Sequence, residues 1–145
     1  MKNVLITGGG GYIGTNLTKA LLSEGYNVTV IDTFWFGNYL KKHKKLKILK
    51  KDIRDVTKKD LYKIDCIMHL ASIANDPAAE LDAKLTWDVN VLATYKLINL
   101  AADQKIKKFI FASSGSVYGI KKEKKVTENL SLEPVSEYNK SKMIG

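Results

Sequence analysis

The chain has 145 residues, enough for one domain with a sizeable core, and its apolar fraction of 45% is ordinary for a globular protein. A net charge of +9 raises nucleic acid as a partner, but Arg54 is the sole arginine among the 24 basic residues. The scattered lysines lack the bidentate forks that phosphate and base recognition favour, so no nucleic acid is expected, and the runs at 41–45 and 121–125 read as solvated loops.

Cys66 is the only cysteine, which rules out an internal disulfide; its apolar neighbours mark it as a buried, reduced thiol, and the cytoplasm is the expected compartment. The apolar run at the start is too short for a signal peptide. No stretch is long and apolar enough to span a bilayer, so no membrane partner is expected, nor is a metal site.

Residues 2 to 6 predict a first strand, buried on both faces because its apolar run is continuous. Thr7-Gly8-Gly9-Gly10-Gly11-Tyr12-Ile13-Gly14 follows it and opens a helical pattern. Four consecutive glycines are expensive in chain entropy for an ordinary turn. Between a strand and a helix they read as a cradle whose backbone N–H groups and helix dipole receive an anion, the pyrophosphate of a dinucleotide. The helix starts near Gly11, with Ile13, Leu17, Ala20 and Leu21 as its apolar stripe and Gly25 as its cap. A second strand, Val28 to Ile31, ends in Asp32, 24 residues beyond Gly8. A carboxylate there receives the adenosine ribose hydroxyls and repels the 2′-phosphate of NADP, and 33–37 offers that phosphate no basic residue. NAD is therefore the expected cofactor.

The segment 33–45 has no clean period and is expected to be irregular, with at most a short helix. A third strand is predicted from Leu46 to Lys51, a weak helix over 57–62, and a strong fourth strand from Ile64 to Ala71. Asp76-Pro77 resembles an N-cap followed by proline at the first helical position. Helix is expected from there to about Gln104, interrupted near Asp82. Lys107 to Ser113 predicts a fifth strand, 119–136 a charged loop, and Ser136 the start of a last helix. Strands alternating with helices indicate a parallel α/β sheet of the Rossmann type, doubly wound, with about five strands. Residues 1–145 form one NAD-binding domain in this reading.

Tyr138 and Lys142 lie four residues apart and so share a helix face. A free tyrosine titrates near 10; use as a general base at neutrality asks for a shift of roughly 3 units, about 4 kcal/mol of differential stabilisation. A close ammonium and a positive nicotinamide supply stabilisation of that sign. The serines of Ser113-Ser114-Gly115-Ser116 sit at the carboxyl end of the fifth strand, where open α/β sheets bind ligands, and a hydroxyl there is placed to share a substrate oxygen with Tyr138.

Thr7 to Gly14, Asp32, Asp52-Ile53, His69-Leu70-Ala71, Asn90 with Ala93-Thr94, Ser113 to Gly119 and Tyr138 to Lys142 together resemble extended short-chain dehydrogenases of the NAD-dependent epimerase/dehydratase family. The resemblance spans the chain, in the family's order. It implies that Gly8, Gly11 and Gly14 form the pyrophosphate turn, joined by Tyr12 and Ile13. It also implies that Asp32 holds the ribose, that Asp52 and Ile53 meet the adenine, and that Leu70 and Ala71 border the cofactor. Ser114, Tyr138 and Lys142 become the catalytic triad, with Lys142 also bound to the nicotinamide ribose.

Two departures qualify it. Family dehydratases carry an acid pair after the catalytic hydroxyl; Gly115 and Ser116 stand there, which disfavours dehydration. Family members also continue beyond the Tyr-Lys helix into further strands and a substrate domain. The expectation is thus the amino-terminal part of a nucleotide-sugar epimerase or related oxidoreductase, a homodimer when complete. Alone, it should bind NAD weakly, show no turnover and associate through an exposed fifth strand. The alternative is an NAD-binding module without chemistry or an inactive truncated product.

Overall fold

In the computed structural model, which describes residues 2–145, five strands form one parallel sheet: β1 (Asn3–Thr7), β2 (Asn27–Asp32), β3 (Leu46–Lys50), β4 (Cys66–His69) and β5 (Lys108–Phe111). Their order is β3-β2-β1-β4-β5. Connections from β1 run outward to β2 and β3 on one side, and β4 and β5 continue on the other, so the direction of winding reverses between β1 and β4. That reversal is the switch point at which open α/β sheets bind ligands. In register, Thr7 stands beside both Ile31 and His69. The ends of β1, β2 and β4 are therefore level, and the glycine turn, Asp32 and Leu70-Ala71 all leave the sheet along one edge.

The continuous apolar strands are buried on both faces, as their pattern predicted. Val4, Ile6, Val28, Val30 and Cys66 form a cluster on which Leu17, Leu21 and Leu22 of helix α1 (Tyr12–Ser23) pack. Leu5, Ile31 and Ile67 alternate with them and are equally buried. Burial of the Cys66 thiol raises its pKa, which suits an inert packing residue.

The chain divides into two compact units. One contains the sheet, the chain up to Ala71 together with Lys96–Ala112; the other contains Ser72–Tyr95 and Ser113–Gly145. The second unit is helical. Helix α2 (Asp76–Leu81) and α3 (Ala83–Trp87) are separated at Asp82, whose side chain caps α3 through Leu85 N–H. A π-helical turn over Asp88–Leu92 leads into α4 (Ala93–Asp103). A 3-10 turn occupies Gly115–Tyr118, and α5 runs Glu137–Ile144.

Several local expectations need correction. The cap of α2 is Asn75, whose side-chain oxygen accepts Ala78 N–H at 2.9 Å; Asp76 and Pro77 already lie inside the helix. Residues 33–45 are irregular, as expected, and hold no helix. Phe34 and Gly37 both take left-handed backbone angles, and Gly37 N–H closes a turn onto Phe34 C=O, a geometry that no helix continues. The weak helix at 57–62 is a 3-10 turn over Lys58–Leu61, and β4 is shorter than its apolar run, ending at His69 before the chain turns into Leu70-Ala71.

Candidate active site

The glycine turn begins where β1 ends. Gly8 has φ +73, and a Cβ on it would lie 2.6 Å from Ala71 N, so glycine is required by both conformation and space. Its N–H bonds Ile31 C=O at 2.8 Å, while Leu70 N–H bonds Thr7 C=O and Ala71 N–H reaches the Thr7 hydroxyl. Thr7 Oγ1 is also 2.5 Å from His69 Nδ1. Gly11, the N-cap of α1, provides no side-chain acceptor for the helix's first N–H groups. Tyr12 and Ile13 begin that helix with their side chains exposed, and Gly14 is buried in its first turn. A bare turn, uncapped donors and the positive end of the helix dipole fit a pyrophosphate.

Asp32 stands at the tip of β2. Its Oδ2 accepts Gly10 N–H at 2.9 Å and its Oδ1 accepts Phe34 N–H at 2.6 Å. Each carboxylate oxygen keeps a lone pair for a further donor, so the group fits a ribose diol. Asp52 is differently engaged. Arg54 grips its carboxylate through both Nε and Nη2, at 3.0 and 2.8 Å, and this pairing lowers the Asp52 pKa. Ile53 is 5% exposed, so its side chain belongs to the core.

The proposed proton-transfer residues lie together in the helical unit. Ser136 caps α5 by accepting Asn139 N–H at 3.1 Å, and its hydroxyl donates to Asp76. Glu137 in the first turn accepts the Trp87 indole N–H at 2.8 Å. These contacts fix the helix that carries Tyr138 and Lys142. Lys142 is 4% exposed, and burial pushes its pKa down to about 8. Ser114, at the head of the Gly115–Tyr118 turn that packs on α5, shares a 2.7 Å hydroxyl contact with Ser116 and accepts Ser116 N–H at 3.2 Å. Ser113 donates to Lys142 C=O at 3.1 Å.

Sequence reasoning assigned no role to Asn90. It is 1% exposed and lies in the π-helical turn, where its side chain accepts Ile73 N–H at 2.8 Å and donates both to Ile73 C=O and to the Ser141 hydroxyl. It thereby joins the segment after Ala71 to α5. Its place with Ala93-Thr94 among the residues that carry the family resemblance was the available signal.

The description "NAD dependent epimerase/dehydratase family" belongs to the sequence profile that matches residues 4–145. The chain belongs to that family. Among curated relatives it is 34% identical to a UDP-glucose 4-epimerase of Lactobacillus helveticus over 97% of this chain and 44% of that protein. Among solved structures, the UDP-N-acetylglucosamine 4-epimerase from Methanobrevibacter ruminantium M1, in complex with UDP-N-acetylmuramic acid, superposes with a TM-score of 0.93 at 34% identity, covering 98% of this chain and 47% of that one. The UDP-glucose 4-epimerase of Thermus thermophilus, solved with NAD, gives 0.86 at 28% identity, with 97% and 47% covered. The chain thus spans about half the length of these relatives. The family assignment makes NAD the cofactor and the Rossmann-type sheet the expected fold.

Proposed function

We propose that this chain is the cofactor-holding and proton-transferring part of a nucleotide-sugar epimerase or closely related oxidoreductase. The observation that carries the reading is Lys142, a buried lysine one helical turn from Tyr138. Burial of an ammonium is costly, and a charge held there lowers the energy of a neighbouring phenolate. Tyr138 then accepts the proton of a sugar hydroxyl. NAD, when bound, would supply reversible hydride-transfer chemistry at the same carbon. Ser114 donates to the sugar oxygen as it becomes a carbonyl, and Lys142 also holds the nicotinamide ribose.

At the other end of the cofactor, Gly8, Gly11, Tyr12, Ile13 and Gly14 hold the pyrophosphate, Asp32 the adenosine ribose, Asp52 and Ile53 the adenine, and Leu70 and Ala71 the adjoining wall. Gly115 and Ser116 supply no acid–base pair for water elimination, which favours epimerisation or oxidation over dehydration. The substrate class follows the relatives, several of which are UDP-glucose 4-epimerases. Cytoplasmic location and homodimer formation belong to the same proposal.

Ligand binding separates the proposed roles. ADP carries the adenosine and diphosphate but no nicotinamide ribose. Lys142→Met should weaken NADH about tenfold and leave ADP unchanged, whereas Asp32→Ala should weaken both. Equal NADH affinity in wild type and Lys142→Met contradicts the proton-transfer reading. The second reading is an NAD-binding module without chemistry; incubation with NAD and UDP-glucose, followed for the 4-epimer, tests it, and product formation would refute it.

A further inference from the structure

Phe34 is held in an unfavourable conformation. Its φ of 56 is left-handed, a region that a bulky side chain enters only at a cost and that recurs where strain serves function. Its N–H is bound to Asp32 Oδ1, and its ring packs against the core cluster beneath α1. The same ring explains the third glycine of the turn. Gly10 does not have a left-handed φ, yet a Cβ there would lie 2.7 Å from Phe34 Cδ1 and Cε1 and 3.0 Å from Asp32 Cγ. Glycine at this position therefore supplies space rather than conformational freedom. Its N–H meanwhile binds the other oxygen of Asp32.

From these contacts we infer that Phe34 is a positioning residue for cofactor selection: wedged against Gly10, its ring and its N–H fix the Asp32 carboxylate in the orientation that accepts a ribose diol and excludes a 2′-phosphate. Gly10 and Phe34 act as one unit in this role, because the ring reaches its place only where residue 10 lacks a side chain. A carboxylate free to rotate would still carry its charge, but it would lose the two-oxygen geometry that a diol recognises and could swing away from a phosphate. The inference rests on the reading that Asp32 receives the adenosine ribose.

The test titrates the 145-residue chain with NADH and with NADPH, following nucleotide fluorescence, and records a thermal melt for every variant. Phe34→Ala should weaken NADH about tenfold and lower the NADH-to-NADPH preference at least about fivefold. Gly10→Ala should do the same by displacing the ring, and the double variant should bind no worse than Phe34→Ala alone, the non-additivity expected of one unit. Phe34→Leu retains apolar packing while withdrawing the ring edge from Gly10; it should keep the wild-type melt and lose part of the preference, and it carries the test if Phe34→Ala fails to fold. Loss of both affinities in equal proportion would make Phe34 merely structural and overturn the inference, as would multiplicative effects of the Gly10 and Phe34 changes. Asp32→Ala is the control for the underlying reading: unchanged NADH binding in that variant removes the ribose assignment itself, whereas weakened binding with no Phe34 effect on preference removes only the inference.

Discussion

Lys142 joins burial to chemistry, and its titration has a definite sign. A lysine ordinarily titrates near 10.5, and burial holds this one at about 8. Between those values the unfolded chain keeps a proton that the folded chain has released, so stability rises with pH across the window. Below pH 8 the full burial penalty is present; above 10.5 it has gone. Relative to a Lys142→Met variant, wild type should therefore gain up to about 3 kcal/mol between about pH 7.5 and 10.5, read from urea midpoints of the two proteins at each pH. A pH-independent gap would show that the lysine is not buried as a charge. Asp52 gives a slope of the same sign, from a favourable contact rather than a penalty. Arg54 lowers its pKa, so its stabilising contribution is present at neutral pH and is lost on acidification, and the partial exposure of Arg54 keeps it small.

At the scale of helices and turns, α5 depends on residues that precede it by up to sixty positions. Ser136 binds Asp76, Trp87 binds Glu137, and Asn90 binds Ser141. Replacing Asn90 with Leu leaves the Ile73 N–H and C=O without their side-chain partner and should destabilise the chain by about 2–3 kcal/mol, measured by chemical denaturation. Asn75→Ala, which removes the cap of α2, should cost about 1 kcal/mol in the same assay. These contacts mark the boundary of what was legible beforehand. The strands were readable because residues such as Val4-Leu5-Ile6 and Val28 to Ile31 are buried on both faces and form unbroken apolar runs. The glycine turn and Asp32 were readable because spacing along the chain fixes their place at strand ends. The π-helical turn at Asp88–Leu92 and the left-handed Phe34 were not, since neither follows from local propensity: the first accompanies the Asn90 bonds to Ile73 and Ser141, the second the clasp between Asp32 and Gly10. Asn75 and Asp76 are equally good caps by sequence alone; the bond to Ala78 N–H selects Asn75.

Taken whole, the sheet has β5 at one edge, paired with β4 alone among the described residues. Phe109, Ile110 and Phe111 line that strand, with Ile110 39% exposed. Ile110→Lys places a charge on an edge that would otherwise recruit another strand, so it should lower self-association at high concentration in sedimentation velocity; an unchanged distribution of species would place the contact elsewhere. The winding of the sheet reverses between β1 and β4, the family is NAD-dependent, and every role proposed for the site requires the glycine turn at that reversal to take NAD. The most direct measurement is titration of the 145-residue chain with NADH by fluorescence, alongside NADPH and the Asp32→Ala variant. Saturable NADH binding, weaker binding of NADPH and a loss of at least about tenfold in Asp32→Ala are the predicted results; no saturable binding, or equal affinity for the two nucleotides regardless of Asp32, would contradict it.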